Sequence, residues 1–295
     1  MTSWIVVNAD DLGVSRGTTT GIVRAHREGV VTSASLAVTT AAYQHAVTSC
    51  VRQCPDLGIG LHFTLTSGRP VRSSSLLAGH DGFFRWRFSS LFVAIAVQRR
   101  SEVLEELRLE LEAQLDRLNA DGIQPDHIDS ERHVHLIPGI FEVVAAAARA
   151  RGIPFVRAGV DAGIFRFPLR RIPELALRGG QIKSGLLSAL ARRAQRHLGS
   201  RRSAEYVASY FGTGRMDLIK HDIADSVTGS LEIMVHPGLT EQHEQRPEVG
   251  NPELERYLAS SDRQRELQFC IDARQWMDPS RLTTFRRIAT ELPRA

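Results

Sequence analysis

Four times in 295 residues a short apolar run breaks off at a carboxylate or a histidine, and few folds accommodate that pattern. Trp4-Ile5-Val6-Val7-Asn8 leads into Ala9-Asp10-Asp11-Leu12-Gly13, and Leu57-Gly58-Ile59-Gly60-Leu61 stops at His62. His127-Ile128-Asp129-Ser130-Glu131-Arg132-His133-Val134-His135 gathers three histidines and two acids, and Leu231-Glu232-Ile233-Met234-Val235 runs into His236-Pro237-Gly238. Runs with apolar residues on both faces suit strands buried on both sides, as parallel sheets provide. In a parallel barrel all carboxyl ends of the strands meet on one rim, where such folds place their chemistry.

Helical patterns separate these runs. Residues 16–28 carry Ile22, Val23 and Ala25; residues 41–51 continue the alternation; and 102–119 repeat Val103, Leu104, Leu107, Leu111, Leu115 and Leu118 at helical spacing. Pro138 suits the first turn of a helix reaching Ala150, and Gly152 suits its end. Further strands are expected at 33–38, 127–129 and 155–157. Strand, helix, strand in succession predicts an α/β fold, a (β/α) barrel-like single domain over 1–295 with mostly parallel strands. A basic insertion at about 166–202 and a helical C-terminal part at about 250–295 complete the expected organisation.

Asp10 and Asp11 set the first chemical constraint. Neighbours on an extended chain point in opposite directions, so one ion cannot take both carboxylates unless the strand ends between them. One acid then holds a metal while the other acts as a base; the bland alternative is that Asp11 caps the helix starting near Ser15.

The blocks Asn8-Ala9-Asp10-Asp11-Leu12-Gly13, Gly29-Val30-Val31-Thr32-Ser33-Ala34-Ser35-Leu36, Gly58 through Thr66, His127-Ile128-Asp129-Ser130 with His133-Val134-His135, and Glu232 through Gly238 resemble the YdjC-like carbohydrate deacetylases. That group includes chitooligosaccharide deacetylases and hopanoid-associated members, and the similarity covers most of residues 4–240. The resemblance implies a general base at Asp10, a divalent metal held by Asp11 and His62, and a catalytic acid at His236. The family usually reads Asp-Ser-His-x-His-x-His, the first His of that run being the third ligand, whereas this chain has Glu131 there and Arg132 after it. Three outcomes stand open: Glu131 coordinates, His133 takes over, or the site does not work. Glu131 keeps the ligand count, and two carboxylates with one imidazole shift preference from Zn²⁺ toward Mg²⁺ or Mn²⁺. The competing reading of Glu131 is a structural ion pair with an arginine.

The implied reaction is metal-dependent removal of an N-acetyl group from an amino sugar or short oligosaccharide. The alternatives are a metal-dependent phosphoester hydrolase and a carbohydrate-binding protein without turnover. Composition bounds the rest. With 42% apolar and 24% charged residues the chain is of ordinary globular type, which excludes a disordered one. No apolar stretch is long enough for a bilayer, and Met1-Thr2-Ser3-Trp4 leads straight into the first strand, so a cytoplasmic protein is expected. Cys50, Cys54 and Cys270 are expected as free thiols.

Two stretches break the rhythm. Phe83 through Val97 interleaves aromatics with arginines, as a lid, as a subunit contact of an expected homodimer, or as an interfacial helix at the membrane surface. Residues 166–202 carry nine arginines and one lysine against Glu174, with Leu186, Leu187, Leu190, Ala194 and Leu198 expected along one helical face. A solvated basic face is the default there. Nucleic acid is not expected, since no binding module accompanies the charge; an anionic or lipid-linked sugar is the fitting partner.

Overall fold

The computed structural model describes residues 4–162, 180–199, 202–208, 229–240 and 249–291. Its centre is a sheet of eight strands, β1 (Ile5–Leu12), β2 (Ser33–Leu36), β3 (Gly58–Phe63), β4 (His127–Ser130), β5 (Phe155–Val156), β6 (Val160–Asp161), β7 (Tyr206–Ala208) and β8 (Leu231–Val235). All pairings are parallel, in the order β5-β4-β3-β2-β1-β8-β7-β6. The two edge strands are chain neighbours, with only Arg157 to Gly159 between them. Phe155 bridges Arg202 in parallel just ahead of β7, and the Val156 N–H donates to the Arg202 carbonyl at 3.0 Å. The sheet therefore curls until its edges share one stretch of chain, which makes the fold α/β and barrel-like.

Alternation along the strands decides what fills the interior. Val6, Asn8 and Asp10 share one face of β1; His127 and Asp129 share one face of β4; Phe155 and Arg157 lie on the corresponding face of the seam. At the amino-terminal end Val6 and Phe155 cluster with Trp4, Phe285 and Ile288, so that the last helix, α9 (Phe285–Glu291), plugs the barrel with apolar side chains. Above this plug the interior turns polar. Gly60 is required there, because a Cβ would collide with the His127 ring.

Helices α1 (Arg16–Arg27), α2 (Tyr43–Ala46), α3 (Phe88–Phe92), α4 (Ser101–Ala120), α5 (Ile140–Ala150), α6 (Gly180–Gln195), α7 (Pro252–Leu258) and α8 (Asp262–Asp272) precede α9. Ser15 caps α1, accepting from the Thr18 N–H at 3.0 Å, so Asp11 is not the cap. Helix α4 buries Val103, Leu107, Leu111, Leu115 and Leu118, together with Glu110 and Gln114. Those two polar residues tie down the long connection after β3: Glu110 accepts from the Val71 and Arg72 N–H groups, and Gln114 exchanges hydrogen bonds with the Thr64 backbone. Past α2 the chain widens into a π-helical turn over Val47–Val51, and the three cysteines are free and buried.

In the aromatic stretch Phe84 is buried, Trp86, Phe88 and Phe92 pack against the main core, and the Trp86 indole donates to the Leu76 carbonyl at 2.7 Å. Val93 and Val97 remain exposed. Among the described residues no helix is long and apolar enough to cross a membrane. Residues 166–179 and 200–201 of the basic insertion lie outside the described residues. In α6 and just beyond, Leu187, Leu190, Ala194 and Leu198 face inward with Ala191, whereas Leu186 is 45% exposed. One residue is 100° of helix rotation, which carries Leu186 off the stripe that Leu187 begins.

Candidate active site

The first functional element is a defect in β1. Ala9 pairs with Ala34 and Leu12 with Leu36, so three steps on β1 oppose two on β2. Asp11 absorbs the extra residue with φ +68°, left-handed backbone that a non-glycine residue adopts only under constraint. The bulge cancels strand alternation locally. Both carboxylates come within electrostatic reach of His62 and His236.

His62 occupies the end of β3. Its Nε2 lies 3.3 Å from Asp11 Oδ1, and its Nδ1 lies 2.8 Å from Asp129 Oδ1. Burial by itself disfavours the imidazolium, but the Asp129 charge and the hydrogen bonds to Asp11 and Asp129 raise the His62 pKa well above its ordinary value. Asp11 moves oppositely: burial, which would raise it, is outweighed by His62 and Arg263, and its carboxyl falls well below the usual range.

Asp10 is held by a buried guanidinium. Arg157 Nη2 and Nη1 each donate to one Asp10 oxygen at 2.7 Å, and the same side chain reaches Glu232 at 2.8 Å through Nε and Asp129 at 2.6 Å. Paired, bidentate contacts of this kind offset the cost of burying the charges. A polar ladder continues downward: Ser35 Oγ donates to Asp129 Oδ2 at 2.7 Å and meets His127 Nε2 at 3.0 Å, while His127 Nδ1 contacts Asp126 at 2.7 Å.

Among the described residues, Asp10, His62 and Asp129 bring ligand atoms within 4.8 Å of one another, a spacing suited to a divalent ion. Arg157 already engages both of those carboxylates, and His62 Nδ1 faces Asp129. His62 Nε2 faces Asp11 Oδ1, and Asp129 holds the His62 ring from Nδ1, a carboxylate behind an imidazole of the kind that metal sites use.

Glu131 follows β4 and is buried, though it stands outside that close trio. Oε2 accepts from Ser67 Oγ at 2.9 Å; among the described residues Oε1 accepts no hydrogen bond and forms a long ion pair with Arg132 Nε at 3.8 Å. Burial, joined by the Asp11 charge, pushes the Glu131 carboxyl up against the pull of Thr66, Arg132 and Ser67. Arg132 and His133 both take left-handed angles, φ +52° and +60°, so the chain does not continue along one face from Glu131 to His133. His133 is buried, and burial pushes its imidazole strongly toward the neutral form. His135 is structural, bonding Ser130 and the Arg157 carbonyl.

His236 directly follows β8, with its side chain 12% exposed. Helix α8 supplies two residues that sequence reasoning missed. Arg263 Nη1 donates to Asp11 Oδ2 at 3.0 Å and its guanidinium lies 5.1 Å from the Tyr257 ring centre; Glu266 accepts from the His236 backbone N–H at 2.5 Å. An arginine and a glutamate three apart on a helix read as a surface pair, and nothing local marks them as buried. Arg157, also missed, left one signal, its position at the carboxyl end of a strand.

Fold and site together define an α/β barrel-like protein with carboxylates and histidines grouped at the carboxyl rim of a parallel sheet. The model of the YdjC-like protein family matches residues 4–276, and the chain belongs to that family. It is 39% identical over 155 residues to a chitooligosaccharide deacetylase of Proteus mirabilis (strain HI4320), 52% of this chain and 58% of that protein. It is 43% identical over 150 residues to a carbohydrate deacetylase of Brevibacillus brevis, 51% of this chain and 57% of that one. These alignments span under two thirds of the relatives' length. A solved structure from Enterococcus faecalis V583, assigned provisionally to cellobiose-phosphate cleavage, covers 98% of this chain and 99% of its own with a TM-score of 0.61 at 22% identity, which shows a shared fold.

Proposed function

We propose that the protein is a divalent-metal-dependent hydrolase that removes an N-acetyl group from an amino sugar or short oligosaccharide. The observation that carries this reading is His62, anchored through Nδ1 by Asp129 and facing Asp11 Oδ1 with Nε2, with the Arg157-held Asp10 next to Asp11 in the chain and His236 within electrostatic reach of both aspartates. The donor set fits a divalent ion: Asp11 and His62 would hold it, with Glu131 as third ligand through Oε1, which faces Arg132 without hydrogen-bonding it, and His133 as the alternative. A bound ion supplies Lewis acidity, polarising the acetyl carbonyl and acidifying water.

The chain's own groups divide the proton work. Arg157 and the Asn8 amide fix the Asp10 carboxylate, whose remaining lone pair, on Oδ2, accepts the proton of the attacking water as its oxygen bonds to the acetyl carbon. When the carbon–nitrogen bond breaks, His236 gives a proton to the departing amine, releasing acetate and the free amino sugar. The relatives' names support a carbohydrate substrate of the chitooligosaccharide class.

The test is an acetate-release screen over N-acetylated mono- and oligosaccharides with Mg²⁺, Mn²⁺, Co²⁺, Ni²⁺ and Zn²⁺ supplied separately. Equal amounts of acetate and free amine are expected with at least one ion. Phosphate release from phosphoesters without acetate from any sugar would overturn the reading.

A further inference from the structure

Helix α8 buries Arg263, Glu266, Leu267, Phe269 and Cys270, so it turns two charged side chains inward in its first turns. Burying charge is costly unless partners compensate it. Arg263 has Asp11 as its partner. Glu266, fully buried, accepts the Tyr257 hydroxyl at 3.2 Å and the His236 backbone N–H, and its Oε2 stands 3.5 Å from His236 Nδ1. A neutral acceptor would serve the N–H and the hydroxyl equally well; a carboxylate is suited to the imidazole. Among the described residues His236 Nδ1 is buried and makes no hydrogen bond, with the Glu266 carboxylate 3.5 Å away.

We propose that Glu266 is a positioning residue for the deacetylation: it fixes the His236 imidazole with Nδ1 toward its carboxylate and leaves Nε2 to donate to the departing nitrogen. This rests on the reading of His236 as proton donor. The groups facing His236 are Glu266 on α8, Tyr257 on α7 with its ring centre 5.9 Å away, and Asp11 and Asp10 on β1. Burial favours the neutral imidazole, but the Glu266 carboxylate, with the Asp11 and Asp10 charges behind it, raises its proton affinity above the ordinary value. The arrangement resembles the pairing of a catalytic base with an orienting third group.

The experiment compares wild type, Glu266→Gln and His236→Asn in the full-length, metal-loaded protein by pH–rate profile and by histidine NMR titration. In wild type, His236 titrates above about 6.5, the unperturbed value. Glu266→Gln keeps an acceptor and loses the charge, so the His236 titration and the alkaline limb of the kcat/KM profile should both move down by about one pH unit or more, with kcat falling and KM little changed. An unmoved titration and limb in Glu266→Gln would reduce Glu266 to a structural residue. If that variant does not fold, a wild-type His236 titrating at or below about 6.5 overturns the proposal by itself. Full activity in His236→Asn would instead remove the donor assignment, a separate failure read from a separate variant.

Discussion

Asp11 sits in left-handed backbone with one oxygen toward His62 and the other on Arg263, while Asp10 beside it has both oxygens on Arg157. The two acids should therefore fail differently. Asp11→Asn and His62→Ala are expected to lose metal affinity first, whereas Asp10→Asn should keep the metal and lose ~10²- to 10⁴-fold in turnover; metal analysis beside kinetics separates them, and equal metal loss in all three would dissolve the division. Asp129→Asn should weaken metal binding ~10- to 100-fold through His62 alone. At Glu131, conversion to His should leave an occupied site with preference moved toward zinc and other late metals, while Glu131→Ala should weaken binding sharply. If His133→Ala has that effect instead, His133 is the third ligand.

The turn after β4 carries a pH dependence that belongs to the element. Burial lowers the pKa of His135 to about 4, and pushes His133 the same way. Between about 6.5 and about 4 the unfolded chain binds protons that the folded turn refuses, so stability falls as pH drops through that window and the loss is complete near the folded value. Replacing His135 with Asn should flatten this slope in denaturant titrations at pH 7, 5.5 and 4.5; an unchanged slope would assign it elsewhere. Elements whose order is set locally were legible in the sequence: α1, α4 and α5 lie close to their expected spans because their apolar spacing repeats at helical period. The π-helical turns at Val47–Val51 and Val93–Val97, and the outward turn of Leu186, were not, since packing against neighbours decides them.

Across the whole molecule the barrel has an apolar plug at one end and the polar site at the other, joined by the ladder from His127 to His62. Phe285 lies 4.5 Å from His127 and 5.0 Å from Phe155, ring centre to ring centre. Phe285→Ala should cost about 3–5 kcal/mol of stability, the usual range for a buried phenylalanine, while metal affinity at the far rim changes little. A denaturant midpoint and a metal titration on one sample check both halves, and a large loss of affinity would mean that the plug and the rim are mechanically coupled. The sequence by itself determined the parallel α/β architecture, the family, and the strand ends on which Asp10, Asp11, His62 and His236 lie, because strand burial and helix periodicity are written locally. Only the tertiary structure decided that a bulge turns both aspartates to one rim, that Arg157 crosses from the seam to hold Asp10, and that α8 returns from residues 262–272 to deliver Arg263 and Glu266. Those contacts join residues up to 252 positions apart, and a charge has no local pattern that says which distant partner will make its burial tolerable.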